Sequence, residues 1–292
     1  MNIIFSRKGF DSKNGGVASP IFPDGRLCSV PIPSKDKLSF EDVRFDGIDV
    51  GELVERLTEK STQRVGRKDQ CHLDPDLRRE ALQHRAPDWL PAFGQKGKAE
   101  RHLRNEGVAE GDLFLFFGWF KRVMKEKETG HFKFKGPPGG EHVIFGWLQV
   151  GQIFMQVSPA AKLPKWVKSH PHVSYEEEPN SIYVAKQWLD IPGLAEKLPG
   201  GGVFRKYHPC LSLTAELGGP RSFWRLPGWM YPSEGRRVLS CHERKKGKRT
   251  RWTKDNKGAM LKTVPIGQEF VLHGEYYPEA KRWLASLFNA AA

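Results

Sequence analysis

The sequence predicts an α+β fold: a mixed, curved β-sheet, partly closed into a barrel, with short helices packed around it. Two observations lead to this class. Long apolar strand patterns alternate with short helical patterns along all 292 residues, and no Pro/Ser-rich linker or internal repeat divides them. The 30 glycines and 21 prolines indicate many turns, while 38% apolar residues suffice for a core. We therefore expect one domain over residues 1–292.

The N-terminal part is predicted to contain a strand, a hairpin and three helices, one of them over residues 71–85. Residues 1–6 form an apolar run typical of a buried strand, and the sequence PDG at 23–25 indicates a turn between two apolar segments. Apolar residues at helical spacing predict a short helix over residues 49–60. A second short helix is expected over 97–107, where Gly107 ends it.

The C-terminal part is predicted to be mainly β-structure. Residues 111–123 and 142–153 are two strongly apolar strand patterns, joined by a charged segment that is rich in Gly and Pro. Residues 278–288 carry apolar side chains at helical spacing and predict a closing helix. Shorter strands are expected at 181–185, 204–214, 237–241 and 268–273.

The charge of the chain favours a polyanionic partner. Lys and Arg number 47 against 34 Asp and Glu, which gives a net charge of +13. Much of the excess lies in a basic segment, residues 236–262, which we predict to be a loop that binds phosphates and stacks Trp252 on a base. The alternatives are a merely solvated loop and a Trp252 that belongs to the core. The candidate nucleic-acid-binding residues are Lys245, Lys246, Lys248, Arg249, Arg251 and Trp252.

Several classes of protein are excluded. The longest apolar run, residues 113–120, is far shorter than the roughly 18 residues of a membrane helix, so no membrane partner is expected. The N-terminus lacks the features of a secretory signal, and four scattered cysteines fit a reduced, cytoplasmic protein. Phosphate-loop, dinucleotide and nucleophile-elbow motifs are missing from the sequence, so no cofactor is expected.

A first candidate site follows the N-terminal strand. Arg7 is expected to hold a phosphate, and Gly15 and Gly16 would let backbone N–H groups approach it. Asp11 is the candidate catalytic carboxylate, acting as a base or stabilising a cationic sugar, and Lys8 is a candidate amine nucleophile. The alternative is an exposed loop in which Arg7 and Asp11 form an ion pair.

The segment HLDPD at 72–76 allows two interpretations. In an extended chain, its ligand-type side chains would alternate onto one face, as a metal site requires. The favoured interpretation is a helix start, with Asp74 as the cap, Pro75 in the first turn and Asp76 favoured by the helix dipole. No metal site is therefore predicted, and His72 is kept as a catalytic candidate facing a cleft.

Two further groups of histidines are weaker candidates. His208 and Cys210, with the pair at 241–242, lack the usual spacing of structural zinc ligands. His170 and His172 flank a proline, which is more typical of a loop than of a catalytic pair, although one of them could act as a proton shuttle.

Two resemblances follow from these motifs. The paired strand patterns GDLFLFF and VIFGWLQV resemble those of small barrel domains of the PUA, ASCH and EVE kind, which hold RNA or flipped, modified bases. The motifs SRKGFDSKNGG, SPIFPDG, SVPIP, HLDPDL, FGQKGKAERHL, GDLFLFFGWF and GQEFVLHG, in this order from Met1 to about Leu287, resemble the third nucleotide-modification-associated domain family. Such families accompany genes for modified DNA bases in phages and bacteria, so the resemblance implies DNA and modified bases as partners. It does not imply a particular reaction.

Three functions remain open. The favoured one is an enzyme that acts on a modified nucleobase in DNA, by excision or exchange at the glycosidic bond. The alternatives are a non-catalytic, PUA-like or EVE-like reader of modified bases, and a modification enzyme that uses a small-molecule donor. The sequence gives neither the base nor the oligomeric state.

Overall fold

The computed structural model describes residues 1–176, 178–243, 250–265 and 269–292. Within these ranges the chain forms three α-helices and sixteen β-strands. The helices are α1 (Val50–Leu57), α2 (Gly97–Asn105) and α3 (Glu279–Ala291). The strands are β1 (Ile3–Arg7), β2 (Ser19–Ile21), β3 (Ile32–Pro33), β4 (Arg44–Phe45), β5 (Ile48–Asp49), β6 (Cys71–His72), β7 (Ala92–Lys96), β8 (Leu113–Lys125), β9 (Phe132–Phe134), β10 (Glu141–Met155), β11 (Asn180–Ala185), β12 (Gly201–Val203), β13 (Phe223–Leu226), β14 (Trp252–Asp255), β15 (Gly258–Lys262) and β16 (Glu269–Leu272).

One mixed sheet organises the molecule, which confirms the predicted α+β class. Among the described residues it has nine strands, with the main path β16-β1-β8-β10-β11-β7, while β12 pairs with β10 and both β2 and β9 pair with β8. The strong strand patterns of the sequence are β8 and β10, which form a long antiparallel pair at the centre. The apolar residues of β1, of β8 from Leu113 to Phe117 and of β10 from Val143 to Val150 are buried, so the main core lies on this central part of the sheet.

The sheet is strongly curved, but a barrel is not confirmed. Gln95 on β7 donates a hydrogen bond to Glu269 on β16 at 2.8 Å, so the two ends of the strand path meet through side chains. No backbone ladder joins these two end strands within the described ranges, and the sheet therefore stays open. The predicted PUA-like closure needs such a ladder. Inside the curve, the ring of Phe93 packs against Phe114 and Phe116.

The predicted elements are confirmed where local patterns are strong. The three helices lie where apolar periodicity predicts them, and Gly25 closes the expected turn by donating to the Phe22 carbonyl. The strands predicted at 204–214 and 237–241 are wrong, since the first range holds isolated bridges and a 3-10 turn and the second holds no strand. No helix in the described ranges is long and apolar enough to cross a membrane.

The predicted helix start at Asp74 is also wrong. Asp76 exchanges two backbone hydrogen bonds with Ala92, each of 2.9 Å, and the Asp74 carboxylate accepts the Gly94 N–H at 2.7 Å. Residues 74–76 therefore run along the free edge of β7, which is the last strand of its sheet. The carboxylate of an N-cap residue accepts a hydrogen bond from its own helix. The Asp74 carboxylate, on which the predicted helix start depends, accepts one from β7 instead.

Candidate functional site

A cluster of histidines and carboxylates lies beside β7. Asp36 follows β3, while His72 ends β6 and Asp74 comes two residues later; the antiparallel pair β3–β6 brings these segments together. His170 and His172 enter from a distant stretch of short 3-10 turns. We call these five residues the His–Asp cluster.

Gly94 on β7 contacts two members of the cluster. Its N–H donates to Asp74 Oδ1, and a Cβ built at this position would lie 2.3 Å from the ring of His172. Glycine is therefore required here, because any side chain would displace that imidazole.

His72 is held between two carboxylates. Its Nδ1 lies 2.7 Å from Asp36 Oδ2, and its Nε2 lies 3.7 Å from Asp74 Oδ2. The Tyr175 hydroxyl donates to Asp36 Oδ1 at 3.0 Å and so fixes that carboxylate. Burial opposes protonation of His72, but the carboxylates of Asp36 and Asp74 outweigh it and raise the pKa of His72 to about 9.

His172 has the opposite electrostatic character. Its Nδ1 donates to Asn180 Oδ1 at 2.9 Å, while the Asn180 amide nitrogen donates to three backbone carbonyls, which fixes the orientation of that amide. His172 Nε2 then lies 3.8 Å from Asp74 Oδ2 and carries a free lone pair. Burial lowers the pKa of His172 to about 3, with His170 and His72 contributing, so the imidazole is neutral at pH 7.

The two carboxylates of the cluster are ionised. Burial acts to raise the pKa of Asp74, but the surrounding imidazoles of His170, His72 and His172 outweigh it and hold that pKa well below its usual range. Burial likewise opposes ionisation of Asp36, yet hydrogen bonds from His72 and others lower its pKa. The cluster therefore combines a charged imidazole, a neutral imidazole and two carboxylates within a few ångströms.

His170 completes the cluster from the buried side. Its Nδ1 accepts the His172 N–H at 3.3 Å, so the proton of a neutral His170 ring is on Nε2. That Nε2 is 3.3 Å from Asp74 Oδ1 without being aligned for a hydrogen bond.

Solvent reaches the cluster mainly at His72. The His72 side chain is 13% exposed and Asp36 10%, against 4% for Asp74, His170 and His172. Behind Asp74, a cavity of about 40 Å³ is lined by Gly9, Ser29 and other residues. It has room for a few water molecules, and it is much smaller than the roughly 300–1,000 Å³ of ligand pockets.

Lys8, the candidate nucleophile, lies in a separate buried network. Its Nζ donates to Glu269 Oε1 at 2.9 Å and lies 4.4 Å from the centre of the Phe93 ring. Ser6 and Gln95 donate to the same carboxylate oxygen. Phe93 and Gln95 project from one face of β7, and Gly94 adjoins the His–Asp cluster on the other, so the strand separates Lys8 from the cluster.

Among the described residues, Arg7 and Asp11 do not form an ion pair. Arg7 donates to the carbonyls of Val264 and Pro265, and burial lowers its pKa. Asp11 Oδ1 accepts the backbone N–H groups of Lys13 and Asn14, so this carboxylate organises its own turn. The charge of Asp11 nevertheless acts on Arg7, since it opposes the lowering of the Arg7 pKa by burial. The phosphate-binding role of Arg7 and the catalytic role of Asp11 stay predictions.

The predicted phosphate-binding glycines have a structural role. Gly15 and Gly16 have φ of +84° and +70°, and a Cβ at Gly15 would lie 2.4 Å from the ring of Phe10. The Gly16 N–H donates to the carbonyl of Asp11, so it is already satisfied within the loop.

Only part of the basic segment can be compared with the structure. Lys245, Lys246, Lys248 and Arg249 lie outside the described residues, and their role in binding nucleic acid stays a prediction. The segment is not simply a loop, because it contains β14 and β15. Arg251 donates to the carbonyls of Lys262 and Thr263. Trp252 is only 3% exposed within the main core, which supports the core alternative over base stacking.

Of the predicted site residues that the structure describes, His72 alone lies in the His–Asp cluster. The sequence predicts His170 and His172 as loop residues, with a proton shuttle as the alternative, and it does not predict Asp36 or its partner Tyr175 as site residues. The His-Pro-His sequence at 170–172 is a local signal, but nothing local links it to residue 72.

The comparisons identify the class of protein. The sequence matches the family described as nucleotide modification associated domain 3 over residues 2–273. Because the match covers nearly the whole chain, the protein belongs to this family, as its motifs predict. No match is found among curated proteins or among solved structures.

Proposed function

We propose that this protein is an enzyme that acts on a modified nucleobase in DNA, with the His–Asp cluster as its catalytic centre. The observation that carries the proposal is the convergence of three imidazoles and two carboxylates from three distant segments in a mostly buried site. Burial of charged groups is costly unless they are paired, and strongly perturbed ionisable groups concentrate at functional sites.

The electrostatics favour an enzyme over a reader. At neutral pH His72 is a proton donor and His172 Nε2 is a proton acceptor, and their ring centres are 5.3 Å apart. A pair of titratable groups whose surroundings push their pKa values apart is typical of general acid–base catalysis. A reader of bases relies mainly on aromatic and amide groups, which the cluster supplies only through Tyr175 and Asn180.

The surface around the cluster suits a polyanion. Four exposed lysines flank the segments that hold Asp36 and His170, and the chain as a whole has a net charge of +13. An open groove of about 280 Å³ is lined by Arg101 and Arg104 of α2, and by Glu178 and Pro179 just before Asn180. The four lysines are Lys35, Lys37, Lys165 and Lys168.

The cavity behind Asp74 cannot take a base, so the reacting base would approach at the exposed edge of His72. Such a base must leave the duplex stack or come from single-stranded DNA. In an excision reaction the bond between C1′ of the sugar and the base would break as His72 donates a proton to the departing base, and an ionised carboxylate of the cluster would stabilise the cationic sugar. A water molecule would then form the new bond to C1′ and lose its proton to His172 Nε2. We assign the carboxylate role to the cluster because Asp11 is engaged in its own turn.

Nucleoside analysis tests the proposal. The protein is incubated with single-stranded and duplex DNA that contains plain or 5-substituted pyrimidines, and the nucleosides and released bases are quantified by mass spectrometry. We expect a modified base to be lost or altered, and we expect Asp74→Asn and His172→Gln to abolish the change. His84→Gln is the matched control, because His84 is exposed and lies outside the cluster.

Each other outcome has a defined meaning. Tight binding of modified DNA, with no chemical change after prolonged incubation, would establish a reader and refute the enzyme. A heavier nucleoside formed only with a small-molecule donor would establish a modification enzyme. A borohydride-trapped adduct that Lys8→Arg abolishes would move the chemistry to Lys8.

Salt dependence tests the assigned approach of DNA. Replacing Lys35 and Lys37 with Gln should flatten the log–log salt slope of duplex binding by up to about 1.8, because each lost phosphate contact removes about 0.9. The control removes the same charge from exposed positions on α3, Lys281→Gln with Arg282→Gln, and should leave the slope unchanged. Equal slopes for both variants would refute the assigned approach.

A further inference from the structure

The His–Asp cluster has the donor arrangement of a metal site. His72 Nε2 and His172 Nε2 are 3.7 and 3.8 Å from the same atom, Asp74 Oδ2. These separations are too long for hydrogen bonds. Two ligands held about 2.1 Å from one tetrahedral ion lie roughly 3.4 Å apart, and both separations are close to this spacing. His72, Asp74 and His172 each offer a ligand atom within 4.8 Å of the other two.

The partners of the two rings support the same arrangement. His72 donates from Nδ1 to the Asp36 carboxylate, and His172 donates from Nδ1 to the Asn180 amide oxygen, so in each ring the other nitrogen faces Asp74. Metal-ligating histidines are typically oriented in this way, with the second nitrogen bonded to a carboxylate or carbonyl oxygen. Two independent rings with the same pattern are difficult to explain by packing alone.

The third ligand is oriented by its other oxygen. Asp74 Oδ1 accepts the Gly94 N–H and faces His170 Nε2, a buried atom with no aligned hydrogen-bond partner in the part of the chain that the structure describes. Asp74 Oδ2 is therefore the oxygen left for an ion between the rings. His170 is placed to orient Asp74 rather than to bind the ion, because its proton is on Nε2.

We propose that His72 Nε2, His172 Nε2 and Asp74 Oδ2 bind one divalent transition-metal ion, with Asp36 and Asn180 as the residues that orient the ligands. Two imidazoles with one carboxylate suit zinc or iron(II) better than magnesium, which prefers oxygen ligands. Three protein ligands leave a coordination position open to water or substrate. The inference deepens the proposed function and rests on it for the site's catalytic role, but metal binding is testable without DNA. With an ion bound, His72 Nε2 and His172 Nε2 would be ligands and would transfer no proton, so the acid and base roles proposed above would pass to water at the open position of the ion.

The test uses the full chain without an affinity tag. After treatment with a chelator and its removal, the protein is titrated with Zn²⁺ against a competing dye, and with Co²⁺ by visible absorption. We expect about one ion per chain, and we expect no competition from millimolar Mg²⁺. His172→Gln and Asp74→Asn should lose the Co²⁺ spectrum, whereas His84→Gln should bind as the wild type does.

Replacing a residue that orients a ligand should weaken Zn²⁺ binding without abolishing it. Asp36→Asn keeps all three ligands and should bind Zn²⁺ about 10–100-fold more weakly, which is the usual effect of losing such a partner. Circular dichroism of each variant shows whether it folds, and the wild-type titration stands even if a variant does not. Wild-type protein that binds no Zn²⁺ or Co²⁺ at micromolar concentrations, or folded ligand variants that bind as the wild type does, would overturn the proposal.

The result for metal binding can be distinguished from the result for the proposed enzyme activity. Stoichiometric metal binding without any change in DNA would keep the metal site and refute the enzyme. A change in DNA that persists in chelator-treated protein, together with no metal binding, would keep the enzyme and refute the metal site.

Discussion

Replacement of Trp252 by Ala distinguishes a core residue from a base-stacking one. Trp252 begins β14 and lies opposite Leu261 of β15, which in turn lies opposite Trp224 of β13. Directly opposite residues share a face of a sheet, so the two indoles flank one leucine, and all three are buried. The side chain is part of the core, and its loss should act on stability.

The expected magnitude follows from the area removed. A tryptophan buries about 150–250 Å², which at about 25 cal/mol per Å² corresponds to roughly 4–6 kcal/mol before any correction for a compact unfolded state. With that correction the loss is about 3–5 kcal/mol, as measured for similar truncations. The Trp252 Nε1 is buried and has no hydrogen-bond partner among the described residues, so Trp252→Phe removes no hydrogen bond within that part of the chain and should cost much less.

Denaturant unfolding and DNA binding of the same samples provide the assay. Affinity, corrected for the folded fraction, should be unchanged in Trp252→Ala, and so should the salt slope. The reasoning is refuted if Trp252→Ala keeps the wild-type free energy of unfolding but binds DNA about 1–3 kcal/mol more weakly with an unchanged salt slope, because that is the signature of lost base stacking.

Three further perturbations test other parts of the molecule. Glu269→Gln leaves the buried Lys8 ammonium without its charged partner and should lower the free energy of unfolding by about 3–5 kcal/mol; in a double-mutant cycle with Lys8→Met, additive effects would contradict this pairing. Gly15→Ala should be destabilising by more than about 1 kcal/mol in thermal melts, since φ is +84° and the new Cβ meets the ring of Phe10. Burial lowers the pKa of His242 from 6.5 to about 4. Between these values the unfolded chain binds a proton that the folded chain does not bind, so the free energy of unfolding should fall as the pH falls from 6.5 towards 4. The loss is on the order of 3 kcal/mol, and unfolding curves of His242→Gln should depend less steeply on pH over this window.

The sheet and the helices could be predicted because their signals are local. The apolar patterns of β8 and β10 are long and strong, and the periodicity of α1, α2 and α3 is set within each helix. The curvature of the sheet could be expected, but whether it closes depends on pairing between β7 and β16, which are far apart in the sequence. No local pattern encodes that pairing.

The candidate site was only partly predictable, for a related reason. His72 carries enough local signal to be noticed, but its partners are separated from it by about 36 positions on one side and by nearly a hundred on the other. Arg7, Lys8 and Asp11 are adjacent in sequence, yet strand alternation and turn formation direct them to different partners. Adjacency in the chain was therefore a poor guide to which side chains converge.

The free edge of β7 explains both the wrong prediction of a helix start at Asp74 and the position of the His–Asp cluster. An exposed strand edge has unpaired N–H and C=O groups that must find partners, and residues 74–76 satisfy those of Ala92 and Gly94. The same contact fixes the Asp74 carboxylate, and the missing side chain at Gly94 admits the ring of His172 beside it. An aspartate that reads locally as a helix cap thus becomes the centre of the cluster. Because the backbone N–H of Gly94 donates to Asp74 Oδ1, Asp74 Oδ2 remains directed towards the imidazoles of His72 and His172, where it can bind an ion or a proton.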